Sequence, residues 1–125
     1  MSVLPKMVNE AWKNRDGAIV LTTVDAEGVP NAIFATCVKK IRDDAIVICD
    51  NYFHKTRANI AAGSKGSLLF ITNDKKAFQL KGSFEYLTEG ELFDNLKDWV
   101  EEKHPKIAAV VLHVEDIFSG AEKLT

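Results

Sequence analysis

Three prolines and two cysteines are all that 125 residues contain of those types. Two cysteines close at most one disulfide, and their number alone leaves that pairing open. Neither Cys37 nor Cys49 belongs to a CxxC pair. Both sit in apolar runs, where cysteine usually packs as a small hydrophobe. The three histidines, His54, His104 and His113, have no ligand spacing with the cysteines, so no metal site is expected. No stretch approaches the roughly 20 apolar residues that span a bilayer. The opening MSVLPKMVNEAW lacks the pattern of a signal peptide, because Pro5, Lys6, Asn9 and Glu10 interrupt it. The cytoplasm is therefore the expected compartment. An excess of charge of one sign is missing too: the formal net charge is −2, with both signs interspersed. That excludes a general field for nucleic acid or anionic lipid, but not a local basic site for one phosphate. There is no P-loop, no GxGxxG and no nucleophile–base arrangement, so no residue is assigned a catalytic role.

What is present is an ordinary globular composition, 46% hydrophobic and 27% charged with seven Phe. This suffices for one domain, 1–125, with its own core. Val3, Leu4, Met7, Val8, Ala11 and Trp12 recur at helical steps and predict a short amphipathic helix. Strands follow at Ala18 to Val24, at about Pro30 to Lys40, and at Ala45 to Cys49, with turns at Asp25–Gly28 and Arg42–Asp44. Apolar residues fall on both faces of the second strand: Ala32, Phe34, Thr36 and Val38 on one, Ile33, Ala35 and Cys37 on the other. That pattern predicts cover on both sides, as in a barrel wall that meets a partner. A helix is expected from His54 to Ala62, then strands from Gly66 to Thr72 and Ala77 to Leu87. Thr88 and Glu91 have capping-box spacing before a helix with Leu92, Phe93, Leu96, Trp99 and Val100 on one stripe. Pro105 ends it, and a strand runs from Ile107 to Val114. The tail from Asp116 has no clear pattern. Hairpins joined by short turns point to a mainly β, antiparallel six-stranded barrel with flanking helices.

The most informative stretch runs from Cys49 to Asn59, where a buried strand ends, a polar loop follows and a helix begins near His54. Helix N-termini attract anions. Lys55 there opposes the helix dipole by roughly 0.3–1 kcal/mol, a penalty that a bound phosphate would reverse. The plainer reading is an exposed lysine and a capping Thr56. Cys49 reads as a packing residue or a redox group, and His54 as exposed or as a proton donor. Gln79 and Lys81 read as a solvated strand face or as ligand contacts. Asp43-Asp44 reads as a turn, and Trp12 and Trp99 as core.

The run His54-Lys55-Thr56-Arg57-Ala58-Asn59, followed by Ser67–Thr72 and by QLKGSFEY, resembles the pyridoxamine-phosphate-oxidase-related flavoproteins, and among them the small bacterial FMN-binding proteins. The resemblance implies a split barrel, FMN as cofactor, and a homodimer acting as an oxidoreductase or electron-transfer protein toward a small-molecule or protein redox partner. By that resemblance Lys55 and Thr56 would hold the FMN phosphate. The strand Ala32, Ile33, Phe34, Ala35 and Thr36 would lie along the cofactor, and the backbone of Cys49, Asp50 and Asn51 would meet the edge of the isoalloxazine ring. The second subunit would complete the site through its C-terminal region, from Pro105 to Leu124. Ala32 and Phe34 stand where those relatives carry Asn and Trp, and Pro105 where they carry Trp. These departures motivate the alternative of a non-enzymatic split-barrel dimer, a ligand sensor or binding module in which flavin is lost or replaced by deazaflavin or haem. Haem would require His54 or His113 as axial ligand.

Overall fold

Alternating apolar residues commit most of this chain to strands. The structure, a computed structural model, describes residues 6–124. Helix α1 (Lys6–Lys13) is followed by strands β1 (Ile19–Val24), β2 (Pro30–Ala35), β3 (Val38–Arg42) and β4 (Ala45–Asp50). Helix α2 (Lys55–Ala61), β5 (Gly66–Ile71) and β6 (Ala77–Leu87) come next. Two four-residue helices, α3 (Glu91–Asp94) and α4 (Leu96–Trp99), precede the long β7 (Ala108–Ser119) and the two-residue β8 (Glu122–Lys123).

All strands join one antiparallel sheet in the order β2-β1-β5-β6-β7-β4-β3, with β8 paired to β7. The fold class is that expected, an antiparallel curled half-barrel, with more strands than the six expected. One of the two extra strands is β8, and the other arises because the strand expected from Pro30 to Lys40 is two strands, β2 and β3. The chain breaks at Thr36-Cys37, where the Val38 N–H donates to the Thr36 carbonyl at 3.0 Å. Before the break it pairs with β1, and after it with β4. Since β2 and β3 lie at opposite ends of the strand order, this short corner carries the chain from one end of the sheet to the other.

The break also resets the facing of side chains. Phe34 is 77% exposed whereas Val38 is buried, so the two do not share a covered face as their even spacing suggested. Likewise Met7 is exposed while Val8, Ala11 and Trp12 of α1 are buried. Val3 and Leu4 lie outside the described residues. The expected long helix after Thr88 is two short turns. Gly90, at φ +95°, occupies the N-cap of α3 without a side-chain cap, so no Thr88 capping box forms. The stripe itself holds: Leu96 and Val100 are buried, and Leu92, Phe93 and Trp99 pack beside them. The unpatterned tail extends β7 and folds back as β8, with Leu124 against the core.

Both faces of β4 are covered. Ile46 and Ile48 enter the main core with Leu21, Leu68, Leu80 and Leu112, while Ala45, Val47 and Cys49 meet the α3–α4 segment. On the far side, Gly66 and Gly82 pair across β5 and β6, and each lies close against a further strand, Gly66 against Thr22 of β1 and Gly82 against His113 of β7. A Cβ on Gly82 would run into the His113 carbonyl oxygen, so only glycine fits beside the register shift at Lys81/Gly82. Gly82→Ala is expected to lower stability by about 1–3 kcal/mol, because the backbone of β7 must move. Urea unfolding of the variant checks this, and an unchanged midpoint would contradict the close approach of β6 to β7.

Candidate functional site

Helix α2 is fastened to three strands by three polar residues in one turn. The Thr56 hydroxyl accepts from Asn31 Nδ2 of β2 at 3.1 Å. Asn59 Nδ2 donates to Thr23 Oγ1 of β1 at 2.9 Å, both residues being buried. Arg57 grips Asp50 at the end of β4 with two hydrogen bonds, Nε to Oδ2 at 2.7 Å and Nη2 to Oδ1 at 3.0 Å.

Asp50 is fully buried. Besides Arg57 it accepts the Tyr86 hydroxyl at 2.6 Å and the Phe53 N–H at 2.9 Å. Burial acts to raise its pKa, but the bonds from Arg57, Tyr86 and Phe53 outweigh burial and hold it below the ordinary carboxylate range. Tyr86 is pushed up to about 12 by its own burial and by its bond to Asp50. A buried charge this well paired fixes geometry, and losing one partner would strand the others.

Between α2, β2 and the end of β4 opens a cleft of about 460 Å³. That falls within the roughly 300–1,000 Å³ usual for cofactor and small-molecule sites. Of the residues expected along a cofactor, Ile33, Phe34, Ala35 and Thr36 line it from the β2 side. Cys49 and Asn51 line it from the β4 side, and Lys55 and Thr56 from α2. Two others do not line it. Ala32 points out of the sheet, on the opposite side of the pleat from Ile33, and the Asp50 carboxylate is turned into the Arg57–Tyr86 cluster.

The cleft also takes in residues not singled out as contacts. Asn31 and Cys37 extend the β2 wall, and Tyr52 and Phe53 the loop after β4. His104 arrives from the loop before β7, its Nδ1 3.4 Å from the Tyr52 hydroxyl and its ring edge-on to that of Tyr52. His104 stands one residue before the segment expected to serve a partner's site, and it borders the cleft of its own chain. The Asn31 signal was available, since the resemblance places a polar residue in this strand, but one position away at Ala32. Nothing in the sequence marked His104, which is brought in by the pairing of β7 with β4.

Other candidates lie elsewhere. His113 bonds Glu85 at 2.7 Å outside the cleft. Lys81 rests over the Phe118 ring, and Gln79 reaches Ser67. Asp43 and Asp44 form ion pairs with Lys40 and Arg42 around their turn. Trp12 is core. Among the described residues no group of His, Cys, Asp or Glu is arranged to hold a metal ion, and no helix is long and apolar enough to cross a membrane.

The chemistry of the cleft is one-sided. Its lining holds the Lys55 ammonium, two threonine hydroxyls, two amides, two thiols, two histidines and three other aromatic rings, and no carboxylate. Lys55 is exposed and makes no ion pair among the described residues. The four-residue step along β2 from Asn31, beside Thr56, to Ala35 separates the two ends by roughly 13 Å. An elongated ligand, anionic at the Lys55 end and planar at the other, fits these donors.

A family model described as pyridoxamine 5'-phosphate oxidase matches residues 6–119. An uncharacterised protein of Methanocaldococcus jannaschii is 28% identical over 120 residues, covering 91% of this chain and 80% of that one. The solved structure of HupZ from Group A Streptococcus superposes with a TM-score of 0.80 at 25% identity, covering 93% of each chain. An FMN-binding protein from Syntrophomonas wolfei gives 0.74 at 23% identity, covering 92% of this chain and 82% of that one. HutZ, the haem storage protein from Vibrio cholerae, gives 0.69 at 15%, covering 94% and 95%. The last two likenesses concern the fold alone.

The Asp50 cluster yields a signed prediction. With its folded pKa depressed, the stability it supplies is fully present above about pH 4, the ordinary carboxylate value, and is lost as pH falls toward the folded value. Asp50→Asn is expected to cost about 1–3 kcal/mol near neutral pH, since a buried amide cannot accept all the hydrogen bonds that Arg57, Tyr86 and Phe53 donate to the carboxylate. It should also flatten the acid limb of a stability–pH profile. Denaturant unfolding from pH 3 to pH 7 measures both, and a variant as acid-sensitive as the parent would contradict the assignment.

Proposed function

The chain belongs to the pyridoxamine 5'-phosphate oxidase family, and from that premise we propose that the cleft binds FMN and that the protein is a flavin-dependent oxidoreductase or electron-transfer protein. The observation that carries this reading is a cleft without a carboxylate, with a lysine and a buried threonine hydroxyl at one end and apolar and aromatic groups along the rest. Lys55 supplies a cation for the phosphate, and Thr56, whose oxygen already accepts from Asn31, donates its hydroxyl proton to a phosphate oxygen. Ile33, Ala35 and Cys49 give an apolar wall for a planar ring, while Asn51 offers an amide to its polar edge. When bound, FMN supplies electron transfer, and the protein orients it and sets its surroundings.

A second copy of the chain is the partner we propose for the exposed β2 surface. Phe34 is 77% and Tyr52 71% exposed at the rim of the cleft, which leaves aromatic surface in water unless something covers it. In this reading the homodimer works in the cytoplasm, in keeping with two cysteines that are free thiols.

One observation favours a second ligand, haem. His54 and His104 both line the cleft, and either imidazole can serve as an axial ligand. The protein would then be a binding module rather than a redox enzyme. His113 bonds Glu85 outside the cleft, so haem held in the cleft would take His54 or His104.

The absorption spectrum after incubation with each cofactor and desalting separates the readings. Retained flavin bands support FMN, a Soret band abolished by His54→Ala or His104→Ala supports haem, and neither band excludes both. Under the flavin reading Lys55→Ala should lose a charge-assisted bond of about 1.5–3 kcal/mol, weakening FMN binding about 10–100-fold. Unchanged affinity by titration would remove Lys55 from the phosphate site. Light scattering at micromolar concentration tests the dimer, and a monomer would overturn it.

A further inference from the structure

The corner between β2 and β3 brings the only two cysteines of the chain face to face. The β3–β4 register pairs Val38 with Ile48 and Lys39 with Val47. Carried one residue further, it sets Cys37 opposite Cys49, and the Cys49 N–H does donate to the Cys37 carbonyl at 2.9 Å. Directly opposed residues of an antiparallel pair point to the same face. Both line the cleft beside the α3–α4 segment, and a single side chain spans the two thiols. Cys49 Sγ donates to Asn51 Oδ1 at 3.2 Å, and Asn51 Nδ2 donates to Cys37 Sγ at 3.4 Å. Asn51 Oδ1 also accepts the Lys106 N–H at 3.0 Å, which ties the pair to the loop that carries His104.

We propose that Cys37 and Cys49 form a reversible dithiol–disulfide couple in the wall of the cleft, oxidised by a low-molecular-weight disulfide such as oxidised glutathione. Cys37 is the half-buried member and reaches the cleft, whereas Cys49 is buried and its thiol is pushed up to about 11 by burial, by Cys37 and by Asp50. Cys37 is therefore the attacking sulfur. Its thiolate attacks one sulfur of the small disulfide, forming a mixed disulfide and expelling one thiol, which takes up the proton Cys37 lost. Cys49 then gives up its proton and attacks the Cys37 sulfur, closing the intramolecular bond and expelling the second thiol. Two protein thiols are oxidised, and one disulfide is reduced to two thiols.

The geometry requires little movement. Opposed Cβ atoms of a hydrogen-bonded pair such as this one lie about 5.5 Å apart, against about 3.8 Å in a disulfide, so the strands close by roughly 1.7 Å. That shift falls on β3, which ends the strand order and pairs on one side only. Closure removes the Cys49 proton that Asn51 accepts, so the amide facing the cleft changes partners with the redox state.

The test exposes the native protein to excess oxidised glutathione, then counts alkylatable thiols and measures intact mass. The expected result is that both thiols vanish together, the chain becomes lighter by two hydrogen atoms, and dithiothreitol restores it. Cys49→Ser should instead hold a stable glutathione adduct on Cys37, and Cys37→Ser should stay unmodified. A wild-type chain that keeps both thiols, accumulates the Cys37 adduct, or forms only an intermolecular bond overturns the proposal. The wild-type measurement stands by itself should either variant fail to fold.

Discussion

A single carboxylate decides where the helix that edges the cleft can sit. Asp50 closes β4 with no exposure to solvent and divides its oxygens among a guanidinium from α2, a phenol from β6 and a backbone N–H from its own loop. Taking that charge out of water costs several kcal/mol before pairing repays it. Every donor must therefore be in place together, and the loop from Asn51 to His54 has little freedom once they are. The wall of the cleft inherits this rigidity, because Asn51, Phe53, Lys55 and Thr56 are all within a few residues of the ion pair.

The second constraint is topological. Two strands adjacent in sequence occupy opposite ends of the sheet, so the chain between them must turn sharply where the curl brings those ends near each other. Thr36 and Cys37 do this, and the cleft lies beside them. On the opposite wall the close approach of β6 to β7 at Gly82 accompanies the register shift between those two strands. Corner and close approach together shape a sheet that a flat meander of the same strands would not give.

Much of this was legible in the residues themselves. Period-two runs located the strands, and the resemblance carried by His54–Asn59 identified the fold, with eight of the ten expected site residues lining one cleft. What escaped was set at long range. The break at Thr36-Cys37 carries no glycine or proline to announce it, and only competition between β1 and β4 for the same strand creates it. The pairing between Thr88 and Glu91 failed because Gly90 adopts a left-handed backbone that spacing cannot reveal. Asp50 drew notice as a backbone contact, while its real partners, Arg57 and Tyr86, lie 7 and 36 residues away.

The clamp around α2 also bears on what a sequence motif in this fold can mean. In the run from His54 to Asn59, the side chains of Thr56, Arg57 and Asn59 each bind another part of the same chain, and Lys55 alone reaches outward as a cation. Most of the information in that run therefore encodes architecture rather than ligand identity. A lineage can exchange one cofactor for another by altering a few residues at the rim, such as Phe34, Tyr52 and His104, while the run itself stays intact. Two proteins that share it are thereby related in scaffold and still free to differ in cargo.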